Sequence, residues 1–116
     1  MAVSDSYKTY VLEQLQELGS VAARTMFGGV GLYHQNLFFG LMDDDTLYFK
    51  VDDSNRQDYE GAGSTAFRPY GDSYSMHYYE VPVDVLDDRA ALKDWALKAL
   101  AVARSSATAK QKRRDS

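Results

Sequence analysis

Four short apolar runs, at residues 22–27, 30–33, 37–42 and 46–51, are separated only by Gly28-Gly29, His34-Gln35-Asn36 and Asp43-Asp44-Asp45. Connections this tight leave no room for a crossover, so neighbouring runs must pair antiparallel in a meander. The first connection lies in Arg-Thr-Met-Phe-Gly-Gly-Val-Gly-Leu-Tyr, residues 24–33. Gly28, Gly29 and Gly31 can take positive φ or admit a second backbone, which lets one strand reverse into the next. A phosphate cradle needs backbone amides at a helix start with a lysine and a serine or threonine. Here a strand follows and those side chains are missing, so the glycines read as structural. In the fourth run Leu47, Phe49 and Val51 alternate with Thr46, Tyr48 and Lys50, the pattern of a sheet covered on one face. Helices are expected on the Leu47 side.

Around this meander the helical signals are equally local. Tyr7, Tyr10, Val11, Leu15 and Leu18 keep the i, i+3, i+4 spacing, with serines at 4 and 6 to cap the start and Gly19 to leave the end. Asp52 and Asp53 are placed to cap a short helix through Asn55, Arg56 and Tyr59, closed by Gly61-Ala62-Gly63. Pro69 interrupts the run at 66–70 and makes it an edge strand, which Gly71-Asp72-Ser73 turns into a strand over 74–81. A single turn is expected at 83–86. Asp87 or Asp88 then caps a last helix whose Leu92, Trp95, Ala96, Ala99, Leu100 and Ala103 share a face. From Ser105 that periodicity stops. The expected order is therefore α-β(3-4)-α-β(2)-α, a two-layer α+β sandwich with helices on one face of an antiparallel sheet, over residues 1–104. Residues 105–116 are expected to be a disordered basic tail, because they lack apolar side chains to offset the entropy of ordering.

Composition narrows the function classes. A chain of 116 residues that is 45% hydrophobic supports one core. Without cysteine, disulfides, thiolate metal sites and cysteine nucleophiles are excluded. No run approaches the roughly 18 apolar residues of a membrane span, so the expectation is a cytoplasmic protein without membrane contact. Lys110, Lys112, Arg113 and Arg114 against Asp115 give the last seven residues +3, so the formal −4 of the chain leaves −7 on residues 1–109. An acidic body repels phosphate backbones, which confines any nucleic-acid contact to the tail.

Three landmarks, Met-Phe-Gly-Gly-Val-Gly at 26–31, Leu-Tyr-Phe-Lys-Val-Asp at 47–52 and Tyr-Tyr-Glu-Val-Pro at 78–82, resemble the N-terminal domain of the TfoX/Sxy family. The resemblance runs from about residue 7 to about residue 104, in family order. It implies a standalone domain of that type, similar in fold to secretion-chaperone-like domains. It also implies a bacterial role in regulating competence genes together with transcription machinery. It carries no nucleophile, metal ligand, cofactor site or catalytic acid, so a non-enzymatic regulatory or adaptor domain is the expectation.

Candidate sites follow from residue type. Tyr33, Tyr48 and Tyr78, if they share the sheet face opposite Leu47, present broad amphipathic rings to a protein partner, with homodimerisation through that face or an edge strand as one form of the contact. Lys110, Lys112, Arg113 and Arg114 form the candidate nucleic-acid arm, whose binding is expected to be weak, insensitive to sequence and steeply salt-dependent. Adjacent turn aspartates at 43–45, with Asp52 and Asp53, lack the spacing of a calcium loop and read as solvated turns and caps. His34 and His77 have no convincing company, and His77 lies three residues from Glu80 in one strand, which puts the two on opposite faces. No metal or cofactor is expected.

Overall fold

Two of the three tight connections close as two-residue turns with both central residues left-handed. Gln35 and Asn36 have φ of 51° and 65°, and Asp44 and Asp45 have φ of 50° and 51°. This twist matches that of paired strands, and short polar side chains such as those of Asn and Asp tolerate it better than most. In the computed structural model the backbone is described for residues 3–26, 29–70 and 73–115, with side chains described except at 68–70, 73–76 and 108–115. The elements are α1 (Asp5–Gln14), a 3-10 turn (Gln16–Leu18), β1 (Ala22–Met26), β2 (Gly29–His34), β3 (Leu37–Asp43), β4 (Thr46–Lys50), α2 (Arg56–Gly61), β5 (Ala66–Tyr70), β6 (Ser73–Glu80), α3 (Val83–Leu86) and α4 (Arg89–Asp115). This is the expected α+β order, with one antiparallel sheet.

The strands lie in the order β1-β2-β3-β4-β6-β5. The meander continues unbroken through β4, which then pairs with β6, so β5 and its Pro69 fall at the edge. Between β2 and β3 the register jumps from Leu32↔Gly40 to Tyr33↔Phe38, leaving Phe39 as an extra residue. Such a bulge breaks strict alternation. It lets Phe39 pack on Phe49, with ring centres 5.7 Å apart, while Phe38 stays on the face of Tyr33.

All helices deliver their buried side chains to one cluster on the Leu47 side. Val11 and Leu15 of α1 and its exit, Tyr59 of α2, Leu86 of α3, and Leu92, Ala96, Ala99, Leu100 and Ala103 of α4 meet Leu32, Phe39, Met42, Leu47 and Phe49. Tyr10 departs from the expected stripe: it is 36% exposed, and its hydroxyl donates to Asp87 instead of entering the core. The adjoining buried polar group is Gln14, whose Nε2 donates to the Leu86 carbonyl at 2.8 Å and whose Oε1 accepts from Arg89 Nε at 3.0 Å. Together these bonds fasten α1 to the α3–α4 corner.

Caps follow the sequence in part. Ser4 Oγ accepts from the Tyr7 amide, and Asp88 Oδ1 accepts from the amides of Ala90 and Ala91. Gly63, at φ 73°, closes α2 with bonds from its own amide to Glu60 and from Ser64 to Tyr59. Asp52 does not cap α2: its carboxylate takes the amide and hydroxyl of Ser54, and the N-cap position is Asn55. Asn55 is buried and spans Lys50 O and the Asp52 amide, which joins the end of β4 to α2. At the C-terminus α4 is longer than its apolar face, since the backbone stays helical from Ser105, where a tail was expected, to Asp115. Alanine, lysine, arginine and glutamine are strong helix formers, and no glycine or proline stops the run.

Candidate protein-contact face

With every helix on one side, the other sheet face carries no helix among the described residues. Parity sends there the side chains that alternate with the core: Arg24 from β1, Tyr33 from β2, Phe38 from β3, Tyr48 from β4, Phe67 from β5 and Tyr78 from β6. Arg24 lies over the Tyr33 ring at 5.0 Å. Tyr33 and Phe38 are 5.1 Å apart, and Phe38 and Tyr78 5.8 Å, so a chain of rings spans from β2 to β6. A second pair, Tyr48 and Phe67, is 4.7 Å apart. These five rings are half-buried by one another and by the sheet.

Thus the three tyrosines singled out from sequence do share a face, but not as one contiguous trio. Phe38 links Tyr33 to Tyr78, while Tyr48 pairs with Phe67. The sequence reading missed Phe38, Phe67 and Arg24. Phe38 was in principle accessible, because a two-residue turn pairing His34 with Leu37 places Tyr33 opposite Phe38. Phe67 was not, since its neighbourhood depends on the non-sequential β4–β6 pairing.

Burial affects the phenols as well as the contacts. The Tyr78 hydroxyl is pushed up to about 12, chiefly by loss of water and then by Tyr33. Tyr48 is raised by burial, then by Glu80 and Asp43. At neutral pH Tyr48 and Tyr78 therefore offer hydroxyl donors rather than phenolates.

The glycines occupy two kinds of site. Gly29 leaves no room for a Cβ, which would come within 2.6 Å of the Met42 carbonyl oxygen. Gly31 lies beneath the open-face rings, where a Cβ would meet Met26 Sδ at 2.6 Å and Phe38 Cε1 at 3.0 Å. Close approach explains both positions, as neither has positive φ. Gly28 lies outside the described residues.

The remaining candidates have structural engagements. His34 donates from Nδ1 to the Ser20 carbonyl at 2.7 Å, holding the entry to β1, and His77 is exposed on β6. Asp45 accepts the Ser4 amide at 2.7 Å, and Asp53 pairs with Arg56. Among the described residues no three His, Asp or Glu side chains gather as metal ligands. No described helix is long and apolar enough to cross a membrane. Lys110, Lys112, Arg113 and Arg114 lie on the α4 backbone, but their side chains lie outside the described residues.

Residues 13–103 match the family model described as the TfoX N-terminal domain. No curated protein matches the chain.

Proposed function

The chain belongs to the TfoX N-terminal domain family, and from that premise we propose that it is a competence-related regulatory or adaptor domain. It works in the bacterial cytoplasm by protein contact through its open sheet face and carries no catalytic activity of its own. The observation that supports this is the ring row of Tyr33, Phe38 and Tyr78 beside the Tyr48–Phe67 pair, on a face to which no described helix contributes. Rings of this kind bring large contact area with few rotatable bonds, and their hydroxyls suit a polar-edged interface.

The test is a competence-gene reporter in a strain whose own copy has been replaced by Tyr48→Ser/Tyr78→Ser. The response should fall while circular dichroism of the purified variant keeps the native spectrum. An unchanged response with an intact fold would remove the face from the mechanism. The alternative reading, weak nucleic-acid association through Lys110, Lys112, Arg113 and Arg114, draws on the contrast between that cationic run and the acidic body. Truncation after Ala109 separates the two, because only the arm reading requires a salt-sensitive affinity that the truncated chain lacks.

A further inference from the structure

The two edges of the sheet are built differently. β5 carries Pro69, and its pairing with β6 shifts register twice, between Ala66 and Phe67 and between Phe67 and Tyr70. Proline and irregular register are the devices by which edges resist another strand. β1 has neither: its five residues pair in regular register with β2, from Ala22↔Tyr33 to Met26↔Gly29. Met26 faces Gly29 across two residues, so ladder alternation commits the backbone groups of Met26, Arg24 and Ala22 inwards and turns those of Ala23 and Thr25 outwards. Ala22, Arg24 and Thr25 are exposed, and among the described residues no backbone hydrogen bond reaches β1 from outside its ladder with β2.

We infer that β1 is a docking edge for an extended acidic segment of a partner protein, which adds a strand to the sheet with a carboxylate opposite Arg24. Among the described residues Arg24 stacks on Tyr33 and makes no ion pair, which leaves its charge for a carboxylate on the incoming strand. A second copy of the chain fits less well. The one antiparallel β1–β1 register that uses all five residues joins Ala23 to Thr25 in both directions but sets the two Arg24 side chains directly opposite each other, a like-charge pair that destabilises the ladder. A strand with aspartate or glutamate at that position makes the same backbone bonds and turns the repulsion into attraction. The inference rests on the protein-contact reading but concerns a different surface, the edge rather than the ring face.

The test uses the full chain, labelled for NMR, with two synthetic ten-residue peptides of alternating Thr and Val that differ only in a central Asp or Lys. The Asp peptide should slow hydrogen exchange at the Ala23 and Thr25 amides and bind up to about fivefold more tightly than the Lys peptide. Arg24→Glu should invert that preference. Thr25→Pro, which removes an outward amide without breaking the ladder with β2, should abolish both effects while the remaining sheet resonances stay in place. Equal binding of the two peptides, no change at Ala23 and Thr25, or a concentration-dependent dimer protecting those amides without peptide would each overturn the proposal. If the peptides fail and Tyr48→Ser/Tyr78→Ser still silences the reporter, the edge proposal falls and the ring-face reading stands. The converse result separates them the other way.

Discussion

Successive residues of one strand meet two different environments. In β4, Leu47 and Phe49 are 1% and 0% exposed beneath the helices, whereas Tyr48 and Lys50 beside them are half-covered on a face without one. On the first face helices supply the burial. On the second, rings shield each other across neighbouring strands. The helical face thus fixes the fold through packing, while the ring face can be altered within limits set by sheet pairing, because period-two alternation lets one strand serve both. The largest test of this contrast is Phe49→Ala against Tyr48→Ser. Phe49→Ala should cost about 3–5 kcal/mol in urea unfolding, by lost transfer energy plus a cavity. Tyr48→Ser should cost only about 1 kcal/mol, the scale of a cross-strand pair. Comparable losses would mean that the open face is a second core.

Glycine gives a finer version of the same comparison. At Gly40, on the covered side, a Cβ would come within 2.8 Å of the Tyr48 carbonyl oxygen and 2.9 Å of Phe49 Cδ1. Neither neighbour can withdraw without disturbing the sheet or the core. At Gly31, on the open side, the obstacles are the end of Met26 and the edges of Phe38 and Tyr33, which have solvent to move into. Gly40→Ala should therefore lose about 2 kcal/mol in the same unfolding assay, in the range for overpacked cores, and Gly31→Ala less than about 1 kcal/mol. A reversed order would place the rigid surface on the ring side.

What could be read from sequence follows the range of the interactions. The tight turns, the parity of Leu47, Tyr48 and Phe49, the edge position of the Pro69 strand and an aspartate cap at 87 or 88 all depend on residues within a few positions of one another. The Phe39 bulge, the tight packing at Gly40 and the Gln14 link to Leu86 and Arg89 depend on segments far apart in the chain. Local pattern carries no record of those meetings. The candidate face was legible to the same extent: alternation places Tyr48 on it, but the β4–β6 neighbours that decide which rings touch are set only by the folded topology. The helical backbone past Ser105 follows from another kind of signal. Loss of an apolar face marks where packing stops, not where helix propensity stops.

Tyr59 is an exception on the covered side, a polar atom within the core. Its ring meets Trp95 edge-on at 4.6 Å and Tyr79 at 5.9 Å, yet its hydroxyl is buried with no hydrogen-bond partner among the described residues. Burial raises its ionisation well above the ordinary tyrosine range, with Asp58 adding to the effect. Tyr59→Phe keeps the ring contacts and removes the unmet hydroxyl, so unfolding stability should rise by about 1 kcal/mol. A loss of stability would show that the hydroxyl has a partner in solution.

The smallest effect separates two tyrosines, one on each side of the sheet, by the cause of their titration. Tyr78, on the ring face, and Tyr7, on α1, are both pushed up to about 12 from an ordinary value near 10, chiefly by burial. In the unfolded chain both lose their protons near pH 10, whereas the folded chain retains them. Stability from these groups is therefore complete below about pH 10 and falls as pH rises through about 12. The secondary causes differ: Asp45 and then Glu80 act on Tyr7, and another phenol, Tyr33, acts on Tyr78. Added salt should weaken the carboxylate contributions while leaving burial largely untouched. Tyr78→Phe should make the alkaline decline of the urea midpoint shallower and leave a residual slope that high salt reduces. Tyr7→Phe should leave a slope less sensitive to salt. If salt acts equally on both variants, the carboxylates at Asp45 and Glu80 do not distinguish Tyr7 from Tyr78.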